Sequence, residues 1–320
     1  MEQQMADPPG LGKRTLIAGL KSGLSVSWSL AKITFPTTLC VGVLKYTTAV
    51  GFLTRLITPV MDLFGLPGES VIAYVLGALL NIYAAIGAIL AIDLTAKQVF
   101  ILAVMLSLAH NLIVETAVTA KVGVHPLWMM LCRLALGFGF AFFFNLILPE
   151  DGVTARYGFG AAAASIPAGW GEVLIEALKR AGGGLAQMLL IIIPMMLALQ
   201  VLKDMGVMPA LVRLLRPLTR VLGISENTSL MLVAGSLFGI AYGAGVIIRS
   251  AAEDSVSRRD VYLVSLFLVC CHSIFEDTLI FLPLGVNVIM LLSFRLALAV
   301  ILTALTARFW RESRFDSEKT

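Results

Sequence analysis

The second half of this chain is a displaced copy of the first. At an offset of 158 positions the sequence aligns Pro36 with Pro194, Arg55 with Arg213, Pro59 with Pro217, Gly65 with Gly223 and Gly77 with Gly235. The same offset aligns Leu16-Ile17, Leu20-Lys21 and Leu44-Lys45 with Leu174-Ile175, Leu178-Lys179 and Leu202-Lys203. A four-residue insertion in the second copy raises the offset to 162, which aligns His110 with His272, Glu115-Thr116 with Asp277-Thr278, Gly123 with Gly285 and Arg133-Leu-Ala-Leu with Arg295-Leu-Ala-Leu. Coincident apolar residues would mean little, but coincident Pro, Gly, His and Arg mark a duplication. It divides the chain into residues 1–150 and 151–320, and repeats of this kind are a signature of transporter folds.

Each copy is built from apolar runs. A bilayer requires about 20 such residues per helical crossing, and runs of that order occupy 33–52, 99–116, 127–148, 188–202, 262–282 and 288–307, with two more at 70–92 and 228–248. With 58% hydrophobic and 14% charged residues the chain lies outside the soluble range; its solvent is lipid. The polar stretch 1–13 carries no short apolar core with a small-residue cleavage site, so no removable signal peptide is expected. Cys40, Cys132, Cys270 and Cys271 lie in apolar runs without CxxC spacing, and read as reduced, buried, small apolar residues rather than metal or disulfide ligands.

Within each copy the pattern reads as an amphipathic first helix (15–32; 173–189), a long helix, a short amphipathic element (53–64; 211–222), an interrupted apolar segment (70–92; 228–248) and two further helices. Arg213, Arg216 and Arg220 precede the second interrupted segment, and Arg249, Arg258 and Arg259 follow it. Short cytoplasmic loops collect Lys and Arg, so this segment is expected to enter and leave on one side, as a re-entrant hairpin turning in the glycine-containing stretch 238–245. Three crossings per copy then make the copies inverted, with both termini cytoplasmic. Of the 24 Lys and Arg, only Lys45, Arg55, Lys97, Arg156, Lys179 and Arg180 then fall outside, Arg133 and Arg295 lie within helices, and the rest are cytoplasmic. The expected fold is an all-α integral membrane protein of two inverted repeats, each an amphipathic first helix, three transmembrane helices and a re-entrant helical hairpin.

Ionisable side chains in hydrocarbon cost several kcal/mol unless paired or hydrated, so each needs a reason. Glu115 and Arg133 lie at matching depth on helices joined near 122–125, as do Asp277 and Arg295 around 283–286; both read as structural ion pairs, the alternative being substrate-binding charges in which the arginines anchor an anionic solute. On one continuous helix His110 would point about 140° away from Glu115, so a carboxylate facing its arginine turns the histidine elsewhere. His110 and His272 are the sharper candidates for a mid-membrane site. Glu276, four residues after His272, shares its face if the helix is continuous, while Asn111 and Ser107 accompany His110 and Cys271 adjoins His272. These donors suit a divalent metal held by His110, His272 and Glu276, or a proton relay; the bland alternative is interhelical hydrogen bonding. Asn81, Tyr83 and Tyr242 are weaker candidates, read as polar turn or interface residues.

No GxxxxGK[ST], HExxH or GxSxG motif occurs, so neither a nucleotide-driven pump nor an enzyme is expected. No cofactor is expected either, and the basic ends fit topology and anionic lipid better than nucleic acid. The duplicated units, each with a glycine-containing interrupted segment, a polar turn (93–97; 253–260) and a helix bearing a polar cluster, resemble the nucleoside-recognition (Gate) family over residues 16–307. Its relatives include the spore maturation membrane proteins A and B, the membrane part of the ferrous iron transporter B and, more distantly, the concentrative nucleoside transporters. The resemblance implies a prokaryotic cytoplasmic-membrane protein with one Gate-like repeat per half. It would be either a permease for a divalent metal, nucleoside-like or small anionic solute bound by His110, His272, Glu276, Asn111 and Ser107, or a non-transporting scaffold in a homo- or hetero-oligomer with another membrane protein.

Overall fold

The computed structural model describes residues 12–44, 46–150, 152, 154–155, 169–206, 208–253 and 256–310. The terminal tails, Lys45 and Arg156 therefore lie outside the described residues, as do the side chains of Lys203, Arg216 and Tyr242. The described residues are helical, with no strand among them beyond an isolated Thr95–Thr154 bridge.

The first copy contains α1 (Lys13–Leu44), α2 (Thr48–Asp62), α3 (Ser70–Leu79), α4 (Ile82–Ile89), α5 (Ala96–Ala109), α6 (Leu112–Lys121) and α7 (Pro126–Ile147). The second contains α8 (Trp170–Asp204), α9 (Met208–Leu222), α10 (Ser229–Ala251), α11 (Arg258–Cys270), α12 (Glu276–Leu279) and α13 (Val288–Phe309). Among the described residues four segments are long and apolar enough to cross a membrane: Ala96–Lys121, Pro126–Ile147, Trp170–Ala198 and Val288–Phe309.

The amphipathic first helices are not separate elements. Each runs without a break into the helix after it, giving α1 32 residues and α8 35, or about 48 and 52 Å. No capping signal or helix-ending proline separates the two parts, and glycines that might have loosened α1 are used for close packing instead. A Cβ on Gly19 would lie 3.2 Å from Cβ of Gln200, and one on Gly42 would lie 3.1 Å from Cβ of Ala177. The order of these contacts makes α1 and α8 antiparallel. Gly19 aligns with Ala177 in the duplication and Gly42 with Gln200, so exchanging the copies maps one contact onto the other. A two-fold axis perpendicular to both helices has this property.

Both interrupted segments fold back on themselves. In the first copy Asn81, extended at φ −169° and ψ 167°, ends one arm and caps the next, its Oδ1 accepting from the Tyr83 and Ala84 amides. The arms press together: a Cβ on Gly77 would fall 2.8 Å from that of Ala85 on the returning arm. In the second copy the reversal lies inside α10 at Gly239, with φ 79° and ψ 171°, a conformation essentially restricted to glycine. A Cβ on Gly243 would come within 3.1 Å of the Ala234 carbonyl, so one glycine of the stretch 238–245 makes the turn and another permits the approach.

The core lies at the centre of the bundle. Every residue from Val99 to Ala109 in α5 is buried, as is every residue from Val261 to Cys270 in α11 except Tyr262. By contrast α7 and α13 bury narrow stripes, including Arg133 and Arg295, and expose Leu131, Phe142, Leu146, Ile289, Ile301 and Leu305. That inversion suits helices facing lipid. The cysteines are free, and Cys270 and Cys271 are buried as expected, but Cys40 is exposed and Cys132 is half-buried against the edge of the core.

Candidate functional site

The site arises where the central helices break. Asn111 separates α5 from α6 in the left-handed region (φ 49°, ψ 37°), and Ser273 does the same after α11 (φ 44°). A break leaves backbone groups to be satisfied elsewhere, and the hairpins supply the partners. The Asn111 amide donates to the Gly77 carbonyl at 2.9 Å, while the Ser273 and Ile274 amides donate to Gly235 at 3.1 Å and Ser236 at 2.7 Å. Each hairpin is thereby tied to the break of its own copy.

At each break the imidazole is anchored from behind. His110 Nδ1 lies 2.7 Å from the Leu106 carbonyl, and His272 Nδ1 lies 2.7 Å from that of Leu268. The rings meet across the interface between copies, centroids 5.2 Å apart. Two carboxylates complete the cluster: Glu115 Oε1 is 3.3 Å from Nε2 of both histidines, and Asp277 Oδ2 is 3.3 Å from His272 Nε2 and 3.7 Å from His110 Nε2. Donor atoms of His110, His272 and Asp277 all lie within 4.8 Å of one another, as a metal would require.

The arginines stand behind the carboxylates. Arg133 donates from Nε to the Leu108 carbonyl and from Nη2 to that of His110, both at 2.8 Å, and its Nη2 is 2.9 Å from Glu115 Oε2. That last approach is close but not aligned as a hydrogen bond, so charge holds it. Arg295 donates to Thr278 Oγ1 at 2.9 Å and to the His272 carbonyl at 2.6 Å, and stands 3.6 Å from Asp277 Oδ2. Both guanidinium groups are essentially inaccessible.

The expectation that each carboxylate turns its histidine away is overturned. The 100° per residue of a continuous helix does not carry across a left-handed residue, so Glu115 touches its arginine and both imidazoles at once. The same break removes Glu276 from the face of His272. Glu276 lines the same cavity, but its Oε1 accepts a hydrogen bond from the Tyr83 hydroxyl at the first hairpin's tip. The carboxylates grouped with the imidazoles are Asp277 and Glu115. Asn111 lines the cavity, whereas the Ser107 hydroxyl turns back to the Val104 carbonyl and lies outside the lining. Cys271 is buried next to His272 and does not line the cavity either.

These groups surround a cavity of about 210 Å³, walled by Ile33 of α1, both hairpin tips (Asn81–Tyr83 and Phe238–Ile240) and both helix breaks. Sequence reasoning missed Tyr83 as the partner of Glu276, and the local signal for the breaks is faint: a small polar residue directly after each aligned histidine.

A family model described as nucleoside recognition (Gate) matches the chain over residues 27–124 and 185–304, one match in each copy, the two beginning at positions that the duplication aligns. An uncharacterized membrane protein, YvoD, of Bacillus subtilis strain 168 is 47% identical over 300 residues, covering 94% of this chain and 96% of that protein. No solved structure matches. Family match, relative and apolar helices agree: the chain belongs to the nucleoside-recognition (Gate) family of membrane proteins.

Proposed function

We propose that this protein is a transporter or permease whose two inverted repeats, with both termini cytoplasmic, move a small solute through the cavity between them by alternating access. The observation that carries the reading is the composition of the cavity wall: both hairpin tips and both helix breaks contribute, with two imidazoles and three carboxylates among them. Irregular backbone at membrane depth is tolerated where it lines a cavity, and transporter sites gather at broken helices between repeats. Inversion is supported by the antiparallel α1–α8 contact. If both helices cross the bilayer, an axis perpendicular to them lies in the membrane plane, which is the symmetry of an inverted repeat. In this reading Arg133 and Arg295 are braces, each fixing a carboxylate and a broken helix end.

The test has two parts. Single cysteines near Arg216 and Arg258 should label from the same, cytoplasmic, face of intact cells, whereas labelling from opposite faces refutes the inverted arrangement. Purified protein in proteoliposomes, screened against divalent cations, nucleosides and small anions, should show a flux that disappears in His110→Ala/His272→Ala. A folded protein that conducts nothing in that screen would favour a scaffold.

A further inference from the structure

We infer that the solute is a first-row divalent transition metal ion such as Zn²⁺, bound by His110 Nε2, His272 Nε2, Asp277 Oδ2 and Glu115 Oε1. This deepens the transporter reading and rests on it for the word solute; the binding site itself does not.

A carbonyl oxygen only accepts, so the 2.7 Å contacts at Leu106 and Leu268 put the hydrogen of each neutral imidazole on Nδ1. With both rings neutral, each Nε2 is a bare lone pair. Yet both Nε2 atoms face carboxylate oxygens, themselves acceptors, at 3.3, 3.3, 3.3 and 3.7 Å. In that state lone pairs converge with no hydrogen between them, and His272 Nε2 and Asp277 Oδ2 are buried without a hydrogen-bond partner. Such a ring is repulsive until something positive enters it. Zinc bonds of about 2.0–2.2 Å place neighbouring tetrahedral donors roughly 3.3 Å apart, close to the spacing seen.

Charge and ligand type narrow the choice. The arginines do not line the cavity; they donate to backbone carbonyls and Thr278 behind it. An anion entering would therefore meet Glu115, Asp277 and Glu276 rather than a guanidinium. Paired imidazoles favour zinc-like ions over Mg²⁺ or Ca²⁺, which prefer all-oxygen sites. The Nδ1–carbonyl bonds and the arginine behind Glu115 supply the outer contacts that orient metal ligands.

Calorimetry on the full chain in detergent, titrating Zn²⁺ and separately Mg²⁺, tests this. One Zn²⁺ should bind per chain, with no comparable Mg²⁺ binding. His110→Ala/His272→Ala should weaken Zn²⁺ more than about 100-fold, beyond the usual loss from outer-contact variants. His125→Ala, which removes the remaining histidine of the three in the chain, should bind like wild type and so exclude adventitious surface binding. Should the double variant not fold, Asp277→Asn and His272→Gln take its place, each with its metal-free unfolding temperature measured. Absence of stoichiometric Zn²⁺ binding, or unchanged binding in the histidine variants, overturns the inference and leaves a ring satisfied by protons. Zn²⁺ binding without Zn²⁺ flux in proteoliposomes would instead refute transport and leave the site standing.

Discussion

Replacing Arg133 with methionine, which has a similar reach and no charge, should destabilise the protein more than almost any other single substitution. The side chain is 1% exposed. Its loss orphans the Leu108 and His110 carbonyls and leaves the Glu115 carboxylate, also buried, without its cation. An uncompensated buried charge costs about 3–5 kcal/mol, and each abandoned carbonyl adds roughly 1 kcal/mol or more. The assay is reversible unfolding in mixed micelles with increasing SDS, run as a double-mutant cycle with Glu115→Gln. Glutamine keeps an oxygen toward the imidazoles but removes the stranded charge, so the double variant should be more stable than Arg133→Met alone, with a coupling of about 2 kcal/mol, inside the range for touching residues. Additivity within about 0.5 kcal/mol would refute the claim that Arg133 neutralises Glu115 rather than merely filling space.

Three further outcomes are expected. Gly77→Val should cost about 1–3 kcal/mol by overpacking, because even a Cβ there falls 2.8 Å from Ala85 and still nearer the Leu106 side chain; unchanged unfolding would contradict the closed hairpin. Gly239→Ala should cost about 1–3 kcal/mol from backbone strain, to which a Cβ only 3.2 Å from that of Ser273 adds, measured in the same micelles, whereas Gly245→Ala, with open space around it, should be near neutral. Asn111→Gly should be tolerated and Asn111→Val should not, by about 1–2 kcal/mol, since the break requires φ 49°.

The large-scale plan was legible because the duplication repeats residues that serve geometry. Gly65 and Gly223 recur with φ 67° and 68°, and Gly123 and Gly285 with φ 90° and 77°. Lys97 and Arg259, aligned in the two copies, donate to the aligned Asn145 and Ala307 carbonyls near the ends of α7 and α13. The site was legible as a set of residues but not as an arrangement. His110, Glu115, His272 and Asp277 stood out because ionisable groups in apolar runs need a reason. Their mutual directions depended on left-handed Asn111 and Ser273, and neither residue breaks a helix by itself. Only tertiary hydrogen bonds to Gly77 and Gly235 make the break favourable, and such contacts have no local signature. The contact between Tyr83 and Glu276 was invisible for the same reason: it joins residues from different copies.

That contact also has no counterpart under the duplication. Tyr83 aligns with Ala241 and Glu276 with Val114, so the aligned residues of the other copy offer neither a hydroxyl nor a carboxyl from which to build such a bond. Two halves with identical contacts would leave their exchanged conformations equal in energy, and a machine of that kind idles equally in either pose. In the alternating-access reading proposed above, a polar tether on one side alone would lift that degeneracy and give the molecule a resting direction.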